Sequence, residues 1–293
     1  MKELKLYLKE KKDRIDQRLE NILGEGTPEF SRLFDSMKYS LTAGGKRIRP
    51  ILFLAVLEAL GKESEAYLDT ACTLECIHTY SLIHDDLPAM DNDEYRRGKL
   101  TNHMIYGAGM ATLAGDGLLT YAFELLAGQP LSAEIKLELI QILARAAGPY
   151  GMVGGQAFDM ESETRRLSLE ELACMHKAKT GEMFKASILM GAAVGQANAN
   201  TQRSLEAYAD ALGLVFQITD DILDVIGDEA LIGKPVGSDE KNHKATYVTI
   251  FSVDKARELA KEYAEQGKNA LHSFGKEADV LRKLMDYLLV RVS

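Results

Sequence analysis

The chain has 293 residues, 46% of them hydrophobic, so it can bury a substantial core as one large domain or two ordinary ones. With 35 basic and 44 acidic residues, the net charge of −9 argues against nucleic acid as the main partner. Apolar runs such as 51–57 fall well short of a membrane span, and residues 1–20 are too charged for a signal peptide, so a soluble cytoplasmic protein is expected.

Helical periodicity dominates, and only 6 prolines interrupt it. Alternating, β-branched stretches bounded by turn residues are almost absent. The spacing predicts helices over 2–23, 29–41, 50–60, 64–85, 108–126, 133–146, 151–161 and 168–190. Further helices are predicted over 203–226, 247–251, 255–269 and 275–290. Ser168 followed by Glu170 and Glu171 reads as an N-cap with an acidic first turn. No repeat or linker breaks the pattern, so a single all-α domain over 1–293 is expected. Cys72 and Cys76 sit at helical spacing on an apolar stretch and read as small core residues. With Cys174 they make an odd, sparse set that does not point to an oxidising compartment.

Polar islands interrupt the helices in order. Gly44-Gly45-Lys46-Arg47-Ile48-Arg49-Pro50 offers backbone freedom, cations and a helix start, which suits a phosphate; alone it could be a basic turn. His78, Tyr80 and Ser81 follow on an apolar helix, where core roles are the simpler reading of the first two. That helix runs into His84-Asp85-Asp86-Leu87-Pro88-Ala89-Met90-Asp91-Asn92-Asp93-Glu94, and then Arg96-Arg97. Unpaired carboxylates at the end of a buried helix are costly unless a cation or donors compensate them. A divalent metal is the simplest compensation, and an all-oxygen set suits Mg²⁺. The bland alternative is a solvated acidic loop.

Gly154-Gly155-Gln156 with Asp159 places costly glycines in a helical pattern, as close packing or ligand approach would require. Lys177-Ala178-Lys179-Thr180-Gly181 puts cations and a glycine inside an apolar helix, which points to a kink exposing backbone. Phe216-Gln217 precedes a second acid cluster, Asp220-Asp221-Ile222-Leu223-Asp224. There Asp220 and Asp224 share a helix face, with Cβ atoms about 6 Å apart. Lys234 lies in a later Gly-Lys-Pro loop. Two acid clusters on apolar helices, together with several cation groups, specify a substrate with a diphosphate head and a hydrocarbon body. No nucleophile–histidine pairing and no Gly-x-x-x-x-Gly-Lys loop is present. Metal-assisted loss of diphosphate in a dry cavity fits these parts.

In these motifs the chain resembles the trans-isoprenyl diphosphate synthase family, closest to its bacterial farnesyl-forming, short-chain members. The resemblance covers nearly the whole length. It rests on Gly-Gly-Lys-Arg-Ile-Arg-Pro, Asp85-Asp86-x-x-x-x-Asp91 with Arg96-Arg97-Gly98, the Gly-Gly-Gln, Lys179-Thr180-Gly181, and Phe216-Gln217-x-x-Asp220-Asp221-x-x-Asp224. It implies a helical bundle around a central cavity, a homodimer, and up to three Mg²⁺ ions per site. Asp85 and Asp91 would bind two ions with Asp86 in support; Asp220 would bind a third with help from Asp224. Arg96, Lys179 and Lys234 would hold the allylic diphosphate. Gly45, Lys46, Arg49, His78 and Arg97 would hold isopentenyl diphosphate. Thr180 and Gln217 oxygens would face the allylic cation, and the departed diphosphate would take the final proton. Tyr80, with Ser81 beside it, stands at the chain-length position, and its bulk implies a farnesyl product. Asn92 departs from the family pattern, where many members carry a further aspartate. Geranylgeranyl diphosphate synthesis, terpene cyclisation and a non-catalytic regulatory role are the rival readings. The isopentenyl-site residues oppose cyclisation, and two intact acid clusters oppose the regulatory role.

Overall fold

The computed structural model describes residues 1–162, 167–226 and 246–290. The protein is all-α; among the described residues the one sheet is a pair of two-residue strands. These residues divide into two compact units. An amino-terminal unit gathers Lys5–Leu54 and Ser64–Ile140, and a carboxy-terminal unit gathers Met1–Leu4, Ala55–Glu63 and Gln141–Ser293.

The amino-terminal unit contains most of α1 (Lys2–Leu19), α2 (Ser31–Leu41), the start of α3 (Ile48–Ala59), α4 (Leu68–Asp85), α5 (Asn102–Tyr106), α6 (Ala108–Ala127) and the start of α7 (Ala133–Ala147). The central element is α4, where 11 of 18 residues are buried, including the polar Thr70, Thr73, Glu75 and Thr79. A helix apolar on nearly every face has no solvent side and must be surrounded by others. It packs on α6, which approaches closely because Gly115 carries no side chain: a Cβ there would lie 2.1 Å from His84 Nε2. Asn102 ties α5 to α2, donating to the Ser36 carbonyl at 2.8 Å and accepting from Ser36 Oγ at 2.9 Å.

The carboxy-terminal unit contains α8 (Met152–Ser162), α9 (Leu169–His176), α10 (Glu182–Val194), α11 (Ala199–Ile226), α12 (Tyr247–Ile250), α13 (Val253–Ala270) and α14 (Asp279–Val290). Helix α13 presents Ala256, Ala260, Ala264 and Gly267 as a buried stripe of small side chains, which lets it lie close along α11. Leu172, Ile218 and Ile222 are fully buried in the core beside it, each contributing roughly 1.5–3 kcal/mol by leaving water. Tyr208 on α11 reaches α14, donating to the Leu281 carbonyl at 2.8 Å.

Most sequence-based boundaries lie close to those observed. Three features differ for physical reasons. The helix expected over 168–190 is divided by a π-helical segment at Lys177–Gly181, so the anticipated irregularity takes the form of an extra residue in the turn. Its start is as expected: Ser168 accepts from Glu171 N, and Glu171 returns the bond in a capping box. The 95–100 hairpin and α5 were not anticipated, because two-residue strands and a five-residue helix are too short to show a period.

Candidate active site

In the amino-terminal unit, residues 44–47 enter α3 through left-handed backbone, with φ of 90° at Gly44, 132° at Gly45 and 53° at Arg47. The backbone favours glycine at Gly45, and the site is also crowded by the movable tip of Arg97. An L side chain rarely adopts its φ, and a Cβ would sit 2.7 Å from Arg97 Nη1. Arg97 in turn donates to the Gly44 carbonyl. Lys46 is exposed beside this turn. Burial lowers the Arg49 guanidinium to about 10, against the attraction of Glu75 and with help from Arg97. Enclosure also holds His78 well below the ordinary imidazole range, and repulsion from Arg49, Arg97, Arg96 and Arg47 adds to it. His78 is therefore neutral at pH 7, a hydrogen-bonding group inside a field of arginines. Of the sequence-predicted isopentenyl group, Gly45, Arg49, His78 and Arg97 gather in one place.

The acidic end of α4 closes on itself. Asp91 N donates to the Asp85 carbonyl at 2.9 Å, and Asn92 N donates to the Leu87 carbonyl at 3.1 Å. The two outer aspartates thus leave the helix end from a single short loop. Asp86 has a different fate: it is 3% exposed and gripped by Arg96, whose Nε lies 2.8 and 2.9 Å from its two oxygens. Burial raises the Asp86 carboxyl while Arg96 opposes the rise. Structurally, then, Asp86 and Arg96 are each other's partners. A two-residue turn makes this pairing possible. Tyr95 faces Leu100 and Arg96 faces Lys99 across the hairpin, leaving Arg97 and Gly98 to turn at φ 54° and 75°. Adjacent arginines are thereby sent to different partners, Arg96 to Asp86 and Arg97 to Gly44. Tyr80 is buried one turn before Asp85 with its ring edge-on to His84 at 5.8 Å, and its hydroxyl is raised to about 12 by burial. Ser81 beside it donates to the His78 carbonyl at 2.9 Å.

In the carboxy-terminal unit, the π segment carries Lys179 and Thr180. Lys179 Nζ meets Asp159 Oδ2 of α8 at 2.6 Å. Helix α8 comes this close through Gly155, where a Cβ would lie 2.3 Å from Lys179 N. On α11, Gln217 Nε2 donates to Asp221 Oδ1 at 3.1 Å, which leaves Oε1 as the end Gln217 has to offer. Asp221 Oδ2 accepts from Tyr247 N at 2.8 Å, so this carboxylate anchors α12 and orients Gln217. Asp220 remains partly accessible, and Asp224, on the same helical face, is 2% exposed. His176, which opens the π segment, is lowered to about 4 by burial, with Lys179 adding to and Asp159 opposing the shift. Lys234 lies outside the described residues.

Four residues outside the sequence-predicted set support these groups: Arg47, Glu75, Asp159 and Asp221. Arg47 and Asp221 stand inside quoted motifs, and Asp159 sits three residues after the Gly-Gly-Gln. Glu75 carried no local signal beyond being a charge in an apolar helix. Among the described residues no three His, Cys, Asp or Glu side chains form a ready-made metal cage. Mg²⁺ does not need one, since it takes one or two carboxylates and fills its shell with water and phosphate.

A helical scaffold that gathers arginines, from buried Arg47 to exposed Arg97, around one loop and places aspartates at helix ends is that of an enzyme built for phosphorylated substrates. The polyprenyl synthetase profile matches residues 31–288, and the chain belongs to that family. It is 47% identical over 288 residues to farnesyl diphosphate synthase of Geobacillus stearothermophilus, covering 97% of each chain. It is also 44% identical to geranylgeranyl diphosphate synthase of Cyanophora paradoxa, covering 97% of this chain and 95% of that one. Among solved structures, the apo FPP/GFPP synthase of Zymomonas mobilis superposes with a TM-score of 0.88 at 37% identity, covering 98% of this chain and 99% of the other.

Proposed function

We infer that the protein is a short-chain prenyltransferase that condenses isopentenyl diphosphate with dimethylallyl and geranyl diphosphate to (2E,6E)-farnesyl diphosphate. The observation that carries the reading is the guanidinium cluster of Arg49 and Arg97 about neutral His78, reached by a glycine turn, within a chain of this family. Such a cluster suits a diphosphate, because forked guanidinium donors match its oxygens. Lys46, exposed beside the turn, adds a further positive charge. Similarity to farnesyl diphosphate synthases across nearly the full length supports the farnesyl product.

The donor set fits a hard divalent cation. Asp85 and Asp91 leave one tied loop, Asp220 and Asp224 share a helical face, and all offer oxygen alone. We assign these four to Mg²⁺, up to three ions per site, with Asp86 acting through Arg96. Bound Mg²⁺ would supply charge neutralisation on the departing diphosphate. Lys179 and Arg96, each held by a carboxylate, and Lys234 are assigned to the allylic diphosphate. Gln217 Oε1 and the Thr180 oxygen are assigned to the carbocation left when the allylic C–O bond breaks. The isopentenyl double bond then supplies the electron pair for the new C–C bond, and a proton passes to the departed diphosphate. Neutral His78 is assigned to binding isopentenyl diphosphate.

The family match over residues 31–288 supports reading 1–293 as a single polyprenyl synthetase domain. No helix among the described residues is long and apolar enough to cross a membrane, which accords with a cytoplasmic location. A homodimer is supported by exposed apolar side chains on successive helices, namely Met104 and Ile105 on α5, Leu113 on α6 and Leu137 on α7. The test is incubation with isopentenyl diphosphate, dimethylallyl diphosphate and Mg²⁺, then phosphatase treatment and chromatography. Farnesol is expected. Geranylgeraniol would overturn the product assignment, and no condensation by folded protein would overturn the activity.

A further inference from the structure

Arg47 sits inside the basic turn yet is turned inward, unlike Lys46. It is 3% exposed, while Lys46 beside it is open to solvent. Each of its three nitrogens already donates to protein: Nε to Asp16 Oδ1 at 2.8 Å, Nη1 to Glu75 Oε1 at 2.5 Å, and Nη2 to the Leu41 carbonyl at 2.9 Å. The partners come from α1, α4 and the end of α2, so one side chain joins three helices to the start of a fourth. A guanidinium committed in this way is no ligand for a phosphate. Its backbone is also held at φ 53°, a conformation that costs a non-glycine residue roughly 1–2 kcal/mol unless its surroundings impose it.

We propose that Arg47 is a positioning residue for the isopentenyl diphosphate site, acting with Glu75 and Asp16 to hold the left-handed turn of residues 44–47 that leads into α3. The inference rests on the reading of Gly45, Lys46, Arg49 and Arg97 as that site. Two consequences of the clamp reach the substrate groups. It fixes the turn in which Gly45 meets the Arg97 guanidinium, so Arg97 and the entry to α3 share one geometry. It also keeps Glu75, 2% exposed, as the buried counter-charge within the field of Arg47, Arg49 and Arg97. Without that carboxylate the repulsion among three neighbouring guanidinium groups would meet no buried counter-charge, and the forks would splay. His78 lies one turn beyond Glu75 on α4 and is placed by the same helix.

The readout that separates positioning from mere support is the Michaelis constant for one substrate against the other. Asp16→Ala removes one leg of the clamp at a part-exposed site. Arg47→Lys keeps the charge but not the fork. The paired change Arg47→Met with Glu75→Leu removes both buried charges together, which cores commonly tolerate better than loss of one partner. All three are assayed well below their melting temperatures, with Arg49→Lys as reference. KM for isopentenyl diphosphate is expected to rise about tenfold or more in the paired change and less in the other two, because a shift of about 1 Å in a binding group suffices for that. KM for geranyl diphosphate should stay within about twofold, as none of these groups is assigned to it. A rise for Arg49→Lys with none for any clamp variant would overturn the positioning role. Equal losses for both substrates would also overturn it, showing a general structural effect. No change for Arg49→Lys would sink the site assignment itself, and the inference with it.

Discussion

Gly155→Ala tests the packing that sets Lys179 and Thr180. An added Cβ would lie 2.3 Å from Lys179 N, 2.6 Å from Lys179 Cα and 2.8 Å from Lys179 Cβ. The first two are main-chain atoms of the π segment and cannot swing aside as a side-chain tip could. To restore an ordinary contact α8 and the segment must part by about 1 Å, and overpacking of that size costs typically 1–3 kcal/mol. The same displacement stretches the 2.6 Å Lys179–Asp159 pair, which spans these two elements. A misplacement near 1 Å can lower the rate by about a hundredfold, so kcat should fall by one to two orders of magnitude. The assay is steady-state turnover with both substrates saturating, alongside thermal melting. Gly24→Ala is the control: it has no atom within 4 Å of the new carbon and no left-handed φ, so it should stay within about 0.5 kcal/mol of the parent. A Gly155→Ala protein with parental melting and turnover would refute the close-packing argument.

Three further outcomes are expected. Tyr80→Ala removes a buried ring at a cost of about 3–5 kcal/mol and should shift the product from C15 towards C20, read as geranylgeraniol after phosphatase treatment; an unchanged product distribution would remove Tyr80 from chain-length control. Asp159→Asn should lower kcat/KM for geranyl diphosphate by about tenfold through loss of the carboxylate that holds Lys179, and a KM change confined to isopentenyl diphosphate would count against the assignment. His176, lowered to about 4 in the fold, should make the protein acid-sensitive. The unfolded chain binds the proton first as pH falls, so the stability present above about 6.5 is lost progressively towards 4, by on the order of 3 kcal/mol. Denaturant midpoints at pH 7 and 4.5 measure this, and His176→Asn should narrow the gap between them; an equal gap would assign the acid sensitivity elsewhere.

Much of the site was legible because its parts are chemically costly in a helix. Carboxylates at the end of apolar α4, a Gly-Gly turn ahead of α3 and a glycine after Lys179 each oppose the local tendency of the chain. Such exceptions stand out against an amphipathic background. Helix type and order were equally legible, since α11, α13 and α14 each bury one face at a steady helical period.

What the sequence by itself determined, therefore, was the inventory: helices, acid clusters, phosphate-suited cations, and the family whose motifs they form. Tertiary structure alone decided the partners. In the sequence Asp86 and Arg96 stand as a metal-supporting acid and a separate phosphate ligand, yet the hairpin turn joins them. Arg47 stands between Lys46 and Arg49 but is turned inward onto Asp16 and Glu75, residues 31 and 28 positions away. The reason is that a charge shows its residue type in a sequence but not its direction. Direction depends on backbone φ at single positions and on which distant helix brings an opposite charge to a dry contact, and neither leaves a periodic trace.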